Sequence, residues 1–357
     1  MLSRVTQIRD ELKRLELDAI IITHVPHIRY IANFTGTSGT LVITPNKSVF
    51  FTDFRYEQQA KEELGKMFET CITKSPYEEM LKLKLVEKTS SIGFQEAYTT
   101  VSQYDDIKRC FKEAKIKKTK ESVNRTVSVK TDHELTLMQK AADITDLVFT
   151  DILKIIKPGI SEIEIATEIS YYGRKYGAEC EAFDIIVASG ERGALPHGRA
   201  SDKKIKKGDL ITLDFGFKYK GFCSDMTRTI SVGKPTHPKA KEIYDIVLNS
   251  HNLGIENAKN GMTGKALDDV CRNEIKNAGY GDMFGHSTGH GLGIEVHEMP
   301  PVSQGGGKFL LKENIVITIE PGIYLPGEMG VRIEDDIVIT KSGAKSLNNS
   351  SKEFIII

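Results

Sequence analysis

Apolar positions at the start of the chain fall at helical spacing: Val5, Ile8, Leu12 and Leu15 predict an amphipathic first helix. The apolar runs AIIITH, GTLVITP and SVFFTDF follow, each of strand length, and RYEQQAKEELGKM after them reads as helix. Strands alternating with helices over the first ~120 residues predict a small α/β domain. From Lys115 to Lys130 the text turns polar and basic, KIKKTKESVNRTVSVK, which reads as a solvated connector at a domain boundary. Domains are therefore expected at 1–122 and 126–357.

Beyond the connector, Thr131 and Glu134 have capping-box spacing and open a helix that runs to about Ile156. Gly159 stops it, and Ser161 with Glu164 caps a second helix ending near Gly177. The phrase recurs about a hundred residues later. Lys157, Gly159, Ile160 and Ser161 correspond to Lys259, Gly261, Met262 and Thr263, while Ile165, Ile169 and Gly177 correspond to Leu267, Cys271 and Gly279. Two equivalent halves follow, roughly 131–232 and 237–345, and a cleft between them is a natural place for a site.

At 357 residues the chain exceeds one small core, consistent with two domains. Lys plus Arg and Asp plus Glu each total 49, which argues against a general nucleic-acid binder. No apolar run approaches the ~20 residues that span a bilayer. The amino terminus is charged throughout and does not read as a signal peptide. Cys71, Cys110, Cys180, Cys223 and Cys271 are odd in number and form no CxxC, so a cytoplasmic location is expected. Cys223 reads as a small buried side chain, and Gln304–Lys308, rich in glycine, reads as a turn that lacks the phosphate-loop pattern.

The chemistry concentrates in two hairpins. In ITLDFGFKYKGFCSDMTRTISV, Asp214 and Asp225 are equidistant from a turn centred between Tyr219 and Lys220, so the pattern places them opposite each other. In ENIVITIEPGIYLPGEMGVRIEDDIVIT, Glu320 and Glu334 lie symmetrically about Gly327. Acids so paired repel unless a cation or a proton intervenes. Four carboxylates suit two divalent ions, and oxygen-rich ligation favours manganese over a closed zinc site. FGHSTGHGLGIEVHEMPP adds His286, His290 and His297. Gly289, Gly291 and Gly293 make a helical HExxH-type pair improbable, so the segment reads as loop entering a strand at GLGIEVHE. His197, in GALPHGRAS, occupies a comparable position in the first half.

LDFG, DMTRT, HSTGHGLGIEVHE, TIEPGIY and GVRIED resemble the signature of the M24 metallopeptidases of pita-bread fold. HIRYIANFTG and TDFRY resemble the creatinase-like amino-terminal domain of the proline-specific branch, so the resemblance spans essentially the whole chain. It implies an α/β (α+β) protein: a small creatinase-like domain followed by a catalytic domain of two pseudo-symmetric halves. It assigns Asp214, Asp225, His290, Glu320 and Glu334 to two divalent ions, manganese first, cobalt or zinc as alternatives. Glu320 would also act as general base to a metal-bridged hydroxide. His197 would hold the leaving residue, His297 the oxyanion or substrate backbone, and His286 would line the proline pocket. Arg332 would neutralise nearby carboxylates, Asp214 among them, and Tyr324 would stand on the leaving side. The implied activity is hydrolysis of Xaa-Pro bonds in small peptides by a homodimer, a dipeptidase (prolidase) ahead of an Xaa-Pro aminopeptidase. A methionine aminopeptidase and a non-enzymatic binding protein on the same fold are the remaining alternatives.

Overall fold

The computed structural model describes residues 3–119 and 121–357, and the chain divides into two compact units after Val127. In the first unit β1 (Ala19–Ile22), β2 (Thr40–Ile43), β3 (Ser48–Thr52), β4 (Glu69–Ile72), β5 (Ser91–Phe94) and β6 (Lys115–Lys118) form one mixed sheet, ordered β4-β3-β2-β1-β5-β6. Its helices are α1 (Arg4–Leu15), α2 (Val25–Ala32), α3 (Glu57–Glu63), α4 (Pro76–Lys82), α5 (Val101–Cys110) and α6 (Ser122–Ser128). Every residue of β1 is buried, as expected of a central strand covered on both faces. Val5, Ile8 and Leu12 of α1 are buried too, so the first helix follows its apolar period.

The basic stretch read as a connector is structured. Lys115–Lys118 is the edge strand β6, parallel to β5 from Ser91↔Lys115 to Phe94↔Lys118, and residues 122–128 are helical. Lysine on an edge strand discourages further pairing, and its charge resembles that of a linker. Lys130 is buried, its ammonium donating to Glu298 Oε2 at 2.8 Å. The helical reading of RYEQQAKEELGKM holds only for Glu57–Glu63, with short 3₁₀ turns on either side.

In the second unit, α7 (Asp132–Ile155) and α8 (Glu162–Lys175) lead into β7 (Cys180–Glu181), β8 (Ile186–Ser189), β9 (Leu210–Phe215), β10 (Phe217–Tyr219), β11 (Phe222–Cys223) and β12 (Met226–Ser231). Then α9 (Ala240–Asn257) and α10 (Gly264–Asn277) lead into β13 (Gly289–Gly291), β14 (Glu298–Val302), β15 (Val316–Ile319), β16 (Gly322–Leu325), β17 (Met329–Arg332), β18 (Asp335–Thr340) and β19 (Gly343–Ser346). Both predicted capping boxes are present, at Thr131/Glu134 and Ser161/Glu164. Thr263 caps α10 through its own hydroxyl, without a returning glutamate.

The repeat is structural. Gly159 and Gly261 take φ of 94° and 85°, and Gly177 and Gly279 take 98° and 90°, left-handed positions that favour glycine. Gly159 N donates to Ile205 O, and Gly261 N donates likewise to Leu311 O. Ile165 and Ile169 are wholly buried in the core of the first half, Leu267 and Cys271 in that of the second.

The hairpins differ in how well the pattern located them. In the second, β16 pairs with β17 from Gly322↔Arg332 to Leu325↔Met329, so the turn centres on Gly327 as expected. In the first, Tyr219 pairs with Phe222 and Asp214 with Thr227, which moves the centre to between Lys220 and Gly221. Lys220 and Gly221 have φ of 47° and 83°, the two positive angles of a two-residue turn whose twist suits the strands. Asp214 and Asp225 are therefore diagonal rather than directly opposite. The strand expected at GLGIEVHE is also displaced: β13 ends at Gly291 and β14 begins at Glu298, leaving 292–297 irregular.

Candidate metal centre and substrate cavity

The strand ends of both halves converge on a cavity of about 480 Å³. Asp214, Asp225, His290, Glu320, Glu334, His197, His286, His297 and Arg332 all line it. Tyr324 is not among the lining residues; it is buried behind them.

Close approach of backbones delivers His290. A Cβ on Gly289 would lie 2.0 Å from Thr318 O, and one on Gly291 would lie 2.4 Å from Met299 O. The glycines around His290 thus let β13 press between β14 and β15. His290 Nδ1 donates to Gly291 O at 3.0 Å, leaving the Nε2 lone pair 3.5 Å from Glu320 Oε1 and 3.7 Å from Asp225 Oδ2. This is the tautomer a metal-binding imidazole needs. Burial, then the neighbouring His297, lowers its pKa to about 4, so the ring stays neutral.

The carboxylates are buried against one another. One ligand atom each from Asp225, His290 and Glu334 lie within 4.8 Å of one another. Burial raises Asp225 well above the usual carboxylate range, with Glu334 and Asp214 adding to it. Glu334 is raised by burial, Glu320 and Asp214. Glu320 is pushed up to about 8, by burial and by Asp214 against the opposing pull of Arg332. Asp214 Oδ1 and Asp225 Oδ1 are buried without a hydrogen-bond partner. Orphaned acceptors, mutually repelling acids and a neutral imidazole aimed at them constitute a donor set that divalent cations would satisfy.

Arg332 is the counter-charge. Its Nη2 donates to Asp214 Oδ2 at 2.5 Å, Nη1 to Pro196 O and Tyr324 Oη, and Nε to Thr227 Oγ1. Tyr324 accepts from Arg332 and bonds His286 Nε2 at 2.9 Å, while His286 Nδ1 meets Ser287 O. Both nitrogens of His286 are thus engaged in its neutral form, which burial and Arg332 favour by holding its pKa near 4. His297 stacks tilted against His290 at 4.3 Å between ring centroids, its pKa lowered by burial and by His197.

Several supporting residues escaped the sequence reading. Thr227 donates to Glu334 Oε2 at 2.6 Å, and Asp336 Oδ2 accepts from Asp225 N at 2.9 Å. The acidic run Glu334–Asp336, leading into a strand buried from Asp335 to Ile339, was the available signal for Asp336. Glu162 is fully buried and accepts from Ser189, Arg192 and Ser201, bracketing the loop that carries His197. Asp268, equally buried, binds Arg272, Thr288 N and Gln304, and Arg272 donates to the carbonyls of Phe284 and His286. Only the i, i+4 spacing of Asp268 and Arg272 was visible in the sequence.

Comparisons with known proteins identify the family of both units. Residues 136–341 match metallopeptidase family M24, and residues 4–126 match the creatinase/prolidase N-terminal domain. The chain is 40% identical to the Xaa-Pro dipeptidase of Pyrococcus horikoshii, over 99% of each sequence. The solved structure of an Xaa-Pro dipeptidase from Bacillus anthracis superposes with a TM-score of 0.94 at 42% identity, covering 99% of both chains. An X-Pro aminopeptidase from Thermotoga maritima superposes with a TM-score of 0.89 at 36% identity over the full length of both. With the amino-terminal domain and the two-half catalytic domain both matched, this chain is a member of metallopeptidase family M24.

Proposed function

We propose that this protein is a dinuclear-metal exopeptidase that hydrolyses Xaa-Pro bonds, acting as a dipeptidase. The observation that carries the proposal is the buried cluster of Asp214, Asp225, His290, Glu320 and Glu334 at the floor of a cavity large enough for a small peptide. The names of the Pyrococcus and Bacillus relatives support the choice of substrate. Manganese suits the oxygen-rich donor set, with cobalt or zinc as alternatives.

The five residues would hold two divalent ions. Bound there, the ions would supply Lewis acidity and acidify a water towards neutrality. Glu320 takes the proton of the attacking water and returns it to the leaving nitrogen. His297 donates to the developing oxyanion or the substrate backbone, and His197 holds the departing residue. Arg332 holds Asp214 turned into the site, and Tyr324 fixes His286 beside the proline ring. A prolyl nitrogen carries no hydrogen, so ring shape has to replace one hydrogen bond in recognition.

Chelator-stripped protein reloaded with manganese tests this on Ala-Pro, Ala-Pro-Ala and Met-Ala-Ser. Ala-Pro should be cleaved fastest and Met-Ala-Ser not at all, with activity lost on chelation. Preference for Met-Ala-Ser, or silence towards Ala-Pro with manganese, cobalt and zinc alike, would overturn the reading. The same proposal describes a cytoplasmic homodimer, checked by light scattering and cell fractionation.

A further inference from the structure

The catalytic cavity shares Phe183, Asp184 and Arg199 with a second cavity of about 460 Å³, lined further by residues of α8. Two arginines line the catalytic cavity, and they are differently committed. Arg332 is buried and donates to Asp214, Pro196, Tyr324 and Thr227, so it has little to offer a ligand. The side chain of Arg199 is 78% exposed and pairs at 2.6 Å with Asp184, itself 70% exposed.

The Arg199 backbone, by contrast, is anchored. Its N–H donates to His197 O at 2.9 Å, its carbonyl accepts from Arg192 Nη2 at 2.6 Å, and it bridges to Ile186 in the adjoining strand. A fixed stem therefore carries a cationic head two residues from His197, at the wall common to both cavities. An ion pair this exposed is screened by solvent and contributes little, so exchanging Asp184 for another carboxylate costs little.

We propose that Arg199 recognises the free α-carboxylate of a dipeptide substrate, leaving Asp184 to do so. This rests on the Xaa-Pro dipeptidase reading above and names the feature of the substrate that sets its length. A guanidinium engages a carboxylate through two parallel hydrogen bonds, whereas the uncharged amide of a longer peptide cannot displace Asp184. A longer chain meets a closed ion pair between the two cavities. The Arg199–Asp184 pair thus acts as a ruler that admits two residues.

The test compares Ala-Pro, Ala-Pro amide and Ala-Pro-Ala on the full-length manganese-loaded protein. Arg199→Ala should raise KM for Ala-Pro about tenfold, the loss of one charged contact, with little change in kcat. It should leave KM for the amide unchanged, which makes the amide an internal control for folding and metal loading. Arg199→Lys should recover part of the loss, and Asp184→Asn should lower KM for Ala-Pro by freeing the arginine. Equal KM changes on acid and amide, or none on Ala-Pro, would overturn this assignment while leaving the Xaa-Pro reading intact. A wild-type protein that cleaves none of the three substrates overturns both.

Discussion

The two halves of the catalytic domain share a backbone plan and differ in the polar groups that brace their histidine loops. In each, a left-handed glycine follows four residues after the long helix, and a shorter capped helix packs two wholly buried side chains into its half's core. The loop anchors do not correspond. In the first half the anchor is Glu162, in the opening turn of α8; Gly264 stands at the matching position of α10, where a Cβ would meet Pro301 O at 2.0 Å. The second half instead uses Asp268, one turn deeper, paired with Arg272. Repeated geometry thus preserves the places where the backbone turns, while each loop gains its own buried carboxylate and arginine. The carboxylates facing the cavity differ similarly: a diagonal aspartate pair in one hairpin, an in-register glutamate pair in the other.

The largest effects are expected at the carboxylates. Glu320→Gln should cut kcat roughly 100- to 10,000-fold, the range for a lost general acid–base group. Asp225→Asn and Glu334→Gln, one from each half, should both also lower bound metal by elemental analysis. A variant of either half that retains full metal and turnover would show that its half is dispensable.

A smaller effect is expected where the halves meet. Thr227 belongs to the first hairpin yet donates to Glu334 of the second, and Glu334 N returns a bond to Thr227 O at 3.1 Å. Thr227→Val and Asp336→Asn should each weaken manganese binding by roughly 10- to 100-fold in titration calorimetry, as for other residues that orient metal ligands. Unchanged affinity in both would mean the ligands hold their positions unaided.

The anchors come next. Glu162→Gln and Asp268→Asn should each cost about 1–3 kcal/mol in denaturant unfolding, since each leaves buried donors imperfectly matched. Their functional effects should differ. Glu320 N donates to Thr288 O, and Thr288 N is held by Asp268, so Asp268→Asn should disturb metal binding. Glu162→Gln should act on KM through the His197 loop and leave metal affinity alone. Identical profiles for the two variants would dissolve the distinction.

The mildest test is pH. Metal-free protein holds protons on Asp225, Glu320 and Glu334 that the unfolded chain has released, Glu320 up to about pH 8. Its stability should therefore fall as pH rises towards 8. His286 and His290, held near 4 against 6.5, act in the opposite sense, making stability rise with pH only below 6.5. Between pH 6.5 and 8 the carboxylates should dominate and Tm should decline in chelator. Saturating manganese should reverse the slope, because its ligands must be deprotonated. A flat or rising curve in chelator would show that these acids are already ionised.

Local chemistry was legible wherever a residue acts on its own neighbours. Thr131 and Ser161 cap the helices that follow, the helix-ending glycines recur in both halves, and Gly327 centres the second hairpin. The first hairpin was misread by one residue because Lys220 carries a positive φ that no Asn-Gly signal announced. The edge strand at Lys115–Lys118 was missed because its pairing partner lies more than twenty residues away, and its own composition is that of a linker.

The sequence by itself determined the α/β plan, the internal repeat and the residue types that would gather around a cation, since caps, turns and apolar periods are short-range. Only the tertiary structure decided which groups share a cavity and which are already spent. In the sequence Arg332 stands two residues from Glu334 and Arg199 two residues from His197, and nothing in either neighbourhood tells how its charge is committed. One is saturated within the buried site and the other faces solvent at its rim, a difference created by burial and hydrogen-bond partners brought together from distant parts of the chain.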